Sequence, residues 1–122
     1  MIEQEAGQVP DISDFAAVST ENILKTISFK FGFTSQFAVT EYGVCYSTTN
    51  SQPTISDDHT AIESTEKSAK DVTVTVNDLQ PRTTYHARAY AKNAVGTAYS
   101  SNVITFTTLG ESPAVDDNPP LF

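Results

Sequence analysis

The chain has 122 residues, 39% of them apolar, a single cysteine and a formal charge of −8 at pH 7. That length fits one domain, large enough to bury a core without metal or disulfide staples, and no apolar run approaches the roughly 20 residues of a membrane-spanning helix. An acidic chain is repelled by phosphate backbones and anionic lipid, which sets nucleic acid aside as a partner.

The charge sits at the ends. From Lys25 to Lys92 seven basic residues face seven acidic ones, and the excess lies in Glu3, Glu5, Asp11, Asp14 and Glu21 before and Glu111, Asp116 and Asp117 after. Residues 1–8 read as a disordered lead-in without the basic start and apolar stretch of a signal peptide. The expectation is therefore that any export signal or anchor is absent from this chain. Residues 9–109 form the domain. Val9, Ile12, Phe15 and Val18 are irregularly spaced around Pro10, as in an edge strand. Ile27, Phe29, Phe31 and Phe33 then alternate with Ser28, Lys30, Gly32 and Thr34, the period of a half-buried strand. Tyr42, Val44 and Tyr46 alternate with Gly43, Cys45 and Ser47 in the same way.

A polar loop is expected from Thr48 to about Thr60, with a short edge strand at 61–64. Val72, Val74 and Val76 make another alternating strand, ended by Asn77 and Asp78. After the turn at 79–84, Tyr85, Ala87, Ala89 and Ala91 share one face; His86, Arg88, Tyr90 and Lys92 share the other. Asn93 to Gly96 reads as a tight hairpin, with Gly96 expected to supply an unusual backbone geometry. Ile104, Phe106 and Thr108 occupy one face of the last strand. Residues 110–122, acidic and containing proline, read as linker or tail.

Short strands with turn signals at intervals of about 8–12 residues, and no helical period, specify an all-β chain: an antiparallel β-sandwich of about seven strands. The inward alanines after Tyr85 leave a sandwich about 10 Å thick underfilled. Phe29, Phe31, Phe33 and Phe106 must fill it, and truncating any of them to alanine should cost about 3–5 kcal/mol.

The turn carries Leu79, Pro81, Thr83 and Tyr85 at every second position. With Glu41–Ser47, Arg88–Ala89–Tyr90–Ala91-x-Asn93, Gly96–Tyr99 and Val103–Thr108, it makes residues 41–108 resemble fibronectin type III modules of secreted and surface-anchored bacterial proteins, notably lipoproteins. The resemblance implies an immunoglobulin-like sandwich with a tyrosine corner, in which the Tyr85 ring is buried and its hydroxyl bonds back to the chain upstream. The tryptophan many members place on the second strand is absent, so Phe29 or Phe31 would stand in for it. Implied too is a non-catalytic spacer or protein-interaction role, outside the cell or on its surface. Its partners would be other domains of the same polypeptide or a surface protein, or alternatively a glycan.

Leu79, Pro81, Tyr85, Phe29, Phe31 and Phe106 are thus read as structural. His86, Arg88 and Tyr90 are the leading binding candidates, since Tyr and Arg dominate interface energetics and stack on partner rings. Cys45 and Ser47 are expected beside them, and Tyr46, Tyr90 and Tyr99 are the aromatics available to a sugar. Asp57, Asp58 and His59 lack the ligand number of a calcium or zinc site, so no metal or cofactor is expected. No phosphate loop, nucleophile elbow or paired carboxylates appear, and no enzymatic activity is expected. The hairpin lacks Arg-Gly-Asp, which leaves integrin-type adhesion without support.

Overall fold

The computed structural model describes residues 8–19 and 23–110. Apart from Gln8 and Gly110, the expected lead-in and tail lie outside the described residues. Among the described residues nine strands form two sheets: β1 (Asp11–Ala17), β2 (Ile27–Thr34), β3 (Glu41–Ser47), β4 (Asp58–His59), β5 (Ile62–Glu63), β6 (Ser68–Val76), β7 (Thr84–Lys92), β8 (Thr97–Tyr99) and β9 (Ile104–Thr107). One sheet runs β1-β2-β6; the other is built on the β3–β7 pair, with β4 and β5 against β3 and β8 and β9 against β7. Every pairing is antiparallel. The short β4 and β5 are two pieces of one edge, as β8 and β9 are of the other. Taking each broken edge once recovers the seven strands expected from the sequence.

Side-chain volume explains how the sheets close on each other. Ala87, Ala89 and Ala91 lie fully buried on β7, and the facing β2 supplies Phe29, Phe31 and Phe33, also buried. Phe15 of β1 stacks on Phe29 with ring centroids 5.3 Å apart, and Phe29 reaches Phe106 of β9 at 5.9 Å. Small residues on one layer thus meet large ones on the other, as close packing requires. Phe29 is in contact with rings from both sheets.

Two bulges bend the smaller sheet at one level. The β1–β2 register shifts between Ser13 and Ala16, and the β2–β6 register shifts beside Gly32. Asp14 and Asp71 take positive φ there, at 57° and 55°, a region that Asp enters more readily than most residues. A Cβ on Gly32 would sit 3.1 Å from the Ala69 carbonyl and 3.2 Å from the Ser13 hydroxyl, so the glycine lets both bulged strands approach.

At one end of the molecule the Tyr85 ring stacks on Phe106 at 5.5 Å, and its hydroxyl accepts a 2.8 Å hydrogen bond from the Gln80 amide. Leu79 is buried beside it, whereas Pro81 is exposed and its carbonyl accepts from the Thr83 hydroxyl at 2.8 Å. Buried Thr108 fastens the turn a second time: its hydroxyl donates to the Gln80 carbonyl at 2.5 Å and accepts from the Thr83 amide at 3.0 Å.

At the opposite end the β7–β8 turn departs from expectation. No described glycine has positive φ, so Gly96 is not there for a left-handed backbone. The turn is held instead by Asn93, whose side-chain oxygen accepts from the Val95 and Gly96 amides at 2.8 and 3.2 Å. Its amide nitrogen donates to the Gln8 carbonyl and the Ser35 hydroxyl. Gly96 answers to space, since a Cβ there would meet Val9 at 3.2 Å.

Candidate functional site

Residues that alternate with the alanines of β7 must point away from the core, so His86, Arg88 and Tyr90 lie on the outer face of the larger sheet. The β3–β7 register places Ser47 beside His86, Cys45 beside Arg88 and Gly43 beside Tyr90, and Tyr99 pairs with Tyr90 from the other side. The strip expected from the sequence is therefore assembled. It is not open.

Residues 48–60 fold back over it. Thr60 crosses directly above Gly43, where a Cβ would overlap the Thr60 carbonyl. The Thr60 amide donates to the Val44 carbonyl, and its hydroxyl accepts from the Val44 amide, both at 3.0 Å. Before that crossing, the Asp57 carboxylate accepts from the Asn50 side chain and the Thr54 amide at 3.0 and 2.9 Å, which shapes the loop from within.

Arg88 is the anchor beneath. Its Nε donates to the Pro53 carbonyl at 2.6 Å, and its guanidinium carbon lies 4.2 Å from the centre of the Tyr99 ring. Tyr99 in turn accepts from the Ile55 amide through its hydroxyl at 3.2 Å. A planar cation that hydrogen-bonds at its rim and stacks on its face is what this position requires, and lysine lacks that geometry.

Tyr90 corrects an expectation. Alternation along β7 places it outward and available, yet it is fully buried. Its hydroxyl lies 2.6 Å from both a Glu41 carboxylate oxygen and the Thr60 carbonyl, able to donate to either. The His59 ring packs edge-on against it at 5.8 Å. Burial, then the bond to Glu41, pushes the phenol well above its ordinary value. Cys45 is likewise sealed beneath the loop. Burial raises its thiol to about 12 despite the nearby Arg88, with Asp57 adding to the rise. Such a thiol has almost no thiolate at neutral pH and is not a nucleophile. His86 stays half-buried, its Nδ1 3.0 Å from the Thr105 hydroxyl.

Tyr46 belongs elsewhere. It alternates with Cys45, and its ring meets Tyr85 edge to face at 6.2 Å. The three tyrosines considered for a sugar therefore do not form one platform. Among the described residues, no group of three or more His, Cys, Asp or Glu could hold a metal ion.

Strand order β1-β2-β6 facing β4-β3-β7-β8, closed by the Tyr85 turn, is an immunoglobulin-like two-layer sandwich. Residues 16–107 match the model of the family described as Fibronectin type III domain. The chain belongs to the fibronectin type III family.

Among solved structures, the sensor domain of the anti-sigma factor RsgI4 in Pseudobacteroides cellulosolvens is similar to this fibronectin type III domain. The TM-score is 0.57 at 19% identity, over 90% of this chain and 86% of that one. A fibronectin type III domain derived from human KIAA0970 protein matches with a TM-score of 0.55 at 20% identity, over 89% and 80%. At such identities the likeness is one of fold. The cell adhesion molecule DSCAM of Gallus gallus is 46% identical over 46 residues, which is 38% of this chain, and the chain spans 2% of that protein's length.

Most of the candidate strip of this fibronectin type III domain is engaged internally. The sequence reading missed the role of residues 50–60 as a cover. Gly43, the one strand glycine placed opposite an aromatic, was the signal available. Thr108 also went unassigned, because a threonine on an inward face carries no mark of the two bonds it makes.

Proposed function

We propose that this domain is a spacer and protein-interaction module of a bacterial cell-surface or secreted protein. The observation that carries the reading is where the described chain enters and leaves. Gln8 is bound to Asn93 at the β7–β8 turn. Leu109 is bound at the other end, its amide to the Ile23 carbonyl and its carbonyl to the Arg82 amide, beside the tyrosine corner. The nine residues of β7 separate these points, roughly 30 Å at strand rise. A domain with entry and exit at opposite poles adds its full length to whatever it joins.

The bacterial setting rests on the resemblance of residues 41–108 to modules of surface proteins, together with the fold likeness to a bacterial anti-sigma factor's sensor domain. No described helix is long and apolar enough to cross a membrane. A sugar platform on the outer strip has less in its favour: Tyr90 is buried, Tyr99 carries Arg88 on its ring, and Tyr46 lies elsewhere.

Small-angle scattering from two copies fused head to tail through residues 111–122 and 1–7 tests the spacer role. The fusion is expected to have nearly twice the maximum dimension of one copy. A pair folded side by side, with a dimension close to that of one copy, would overturn it.

A further inference from the structure

Beside the tyrosine corner, away from the covered strip, a cleft of about 460 Å³ opens between β3, the loop that follows it and Gln80. That volume falls within the roughly 300–1,000 Å³ of small-ligand sites. Its lining is polar apart from two rings. Tyr46 meets Tyr85 edge to face at an interplanar angle of 64° and is half-buried, packed in part against the core and in part bordering the cleft. Thr48, Ser56, Asp58 and Gln80 line the remainder together with Ser47, Thr49 and Asp57.

Part of this lining serves the fold: Asp57 holds Asn50 and Thr54, and Ser47 accepts from the Thr49 and Asn50 amides. By contrast the side chains of Tyr46, Thr48, Ser56, Asp58 and Gln80 make no hydrogen bond to the described residues. The Tyr46 phenol is held above its ordinary value by burial first and by Asp58 second, so it remains a donor at neutral pH.

We infer that this cleft is a binding subsite for a neutral oligosaccharide. A pyranose offers a C–H face to an electron-rich ring and a rim of adjacent hydroxyls, each both donor and acceptor. The Tyr46 ring receives that face. The Asp58 carboxylate supplies acceptors only and the Gln80 amide supplies both kinds, the combination that holds a pair of neighbouring hydroxyls in one orientation. Asp57 and Asp58 together disfavour a uronate or other acidic sugar. The site shares no residue with the entry and exit points that carry the spacer reading, so either can fail alone.

Titration of the isotope-labelled chain with cellopentaose, maltopentaose, xylopentaose and trigalacturonate, followed by amide proton–nitrogen shifts, tests the assignment. At least one neutral pentaose is expected to give saturable shifts confined to 46–49, 56–58 and 80, with affinity on the order of 1 mM, and trigalacturonate none. Tyr46→Ala should remove binding. Because Tyr46 also packs on Tyr85, the surface pair Asp58→Ala/Gln80→Ala is the companion: it should melt as the parent does and bind about tenfold more weakly. Three outcomes overturn the proposal: no saturable shift with any neutral pentaose, shifts mapping elsewhere, or parental affinity in the Asp58→Ala/Gln80→Ala pair.

Discussion

Tyr85 separates what a ring contributes from what a hydroxyl contributes. Its ring stacks on Phe106, and its oxygen accepts from the Gln80 amide at 2.8 Å. Tyr85→Phe keeps the first and removes the second, so urea unfolding should show a loss of about 1 kcal/mol with an unchanged slope. Cys45 offers a test of burial. Its thiol is raised from an ordinary value of 9.0 to about 12, so the folded state holds its proton where the unfolded chain has released it. Stability from this group is therefore complete below pH 9 and falls as pH rises from 9 toward 12. Unfolding across that window should show a decline that Cys45→Ala lacks. Alkylation of native protein at pH 8 should proceed only as fast as the protein opens.

The covering loop is the element that governs the candidate site, and Arg88 is its main fastening. Arg88→Ala leaves the Pro53 carbonyl without its 2.6 Å donor and strips the cation from Tyr99. A loss of about 2 kcal/mol is expected. Amide hydrogen exchange should accelerate at Ile55, Asp57 and Thr60, with little change at Val74 and Val76 in the other sheet. Uniform acceleration in both sheets would mean that Arg88 supports the whole fold and not the loop. Strands were legible in the sequence because period two states which side chains face inward, and the turn at Leu79–Tyr85 carried its own spacing. The loop was not legible. Its course depends on where a carbonyl meets an arginine 35 residues away, and no local pattern encodes that pairing. Gly96 shows the same limit in reverse: a glycine in a turn suggested backbone freedom, while the actual constraint was the distant Val9 side chain.

At the scale of the molecule the sandwich behaves as a rod with a fixed length and distinct ends. Asn93 ties the entering chain to one pole, and Thr108, Arg82 and Ile23 tie the leaving chain to the other. Both fastenings are side-chain or turn bonds outside the strand ladders, so the ends keep their places while the sheets set the distance. The spacer reading depends on that separation more than on any residue of the outer face. It can be measured directly in a Cys45→Ala background with spin labels at Gln8→Cys and Leu109→Cys. Pulsed dipolar spectroscopy should return one distance distribution centred at roughly 30 Å; a distribution centred below about 20 Å would place both ends at one pole and contradict the account.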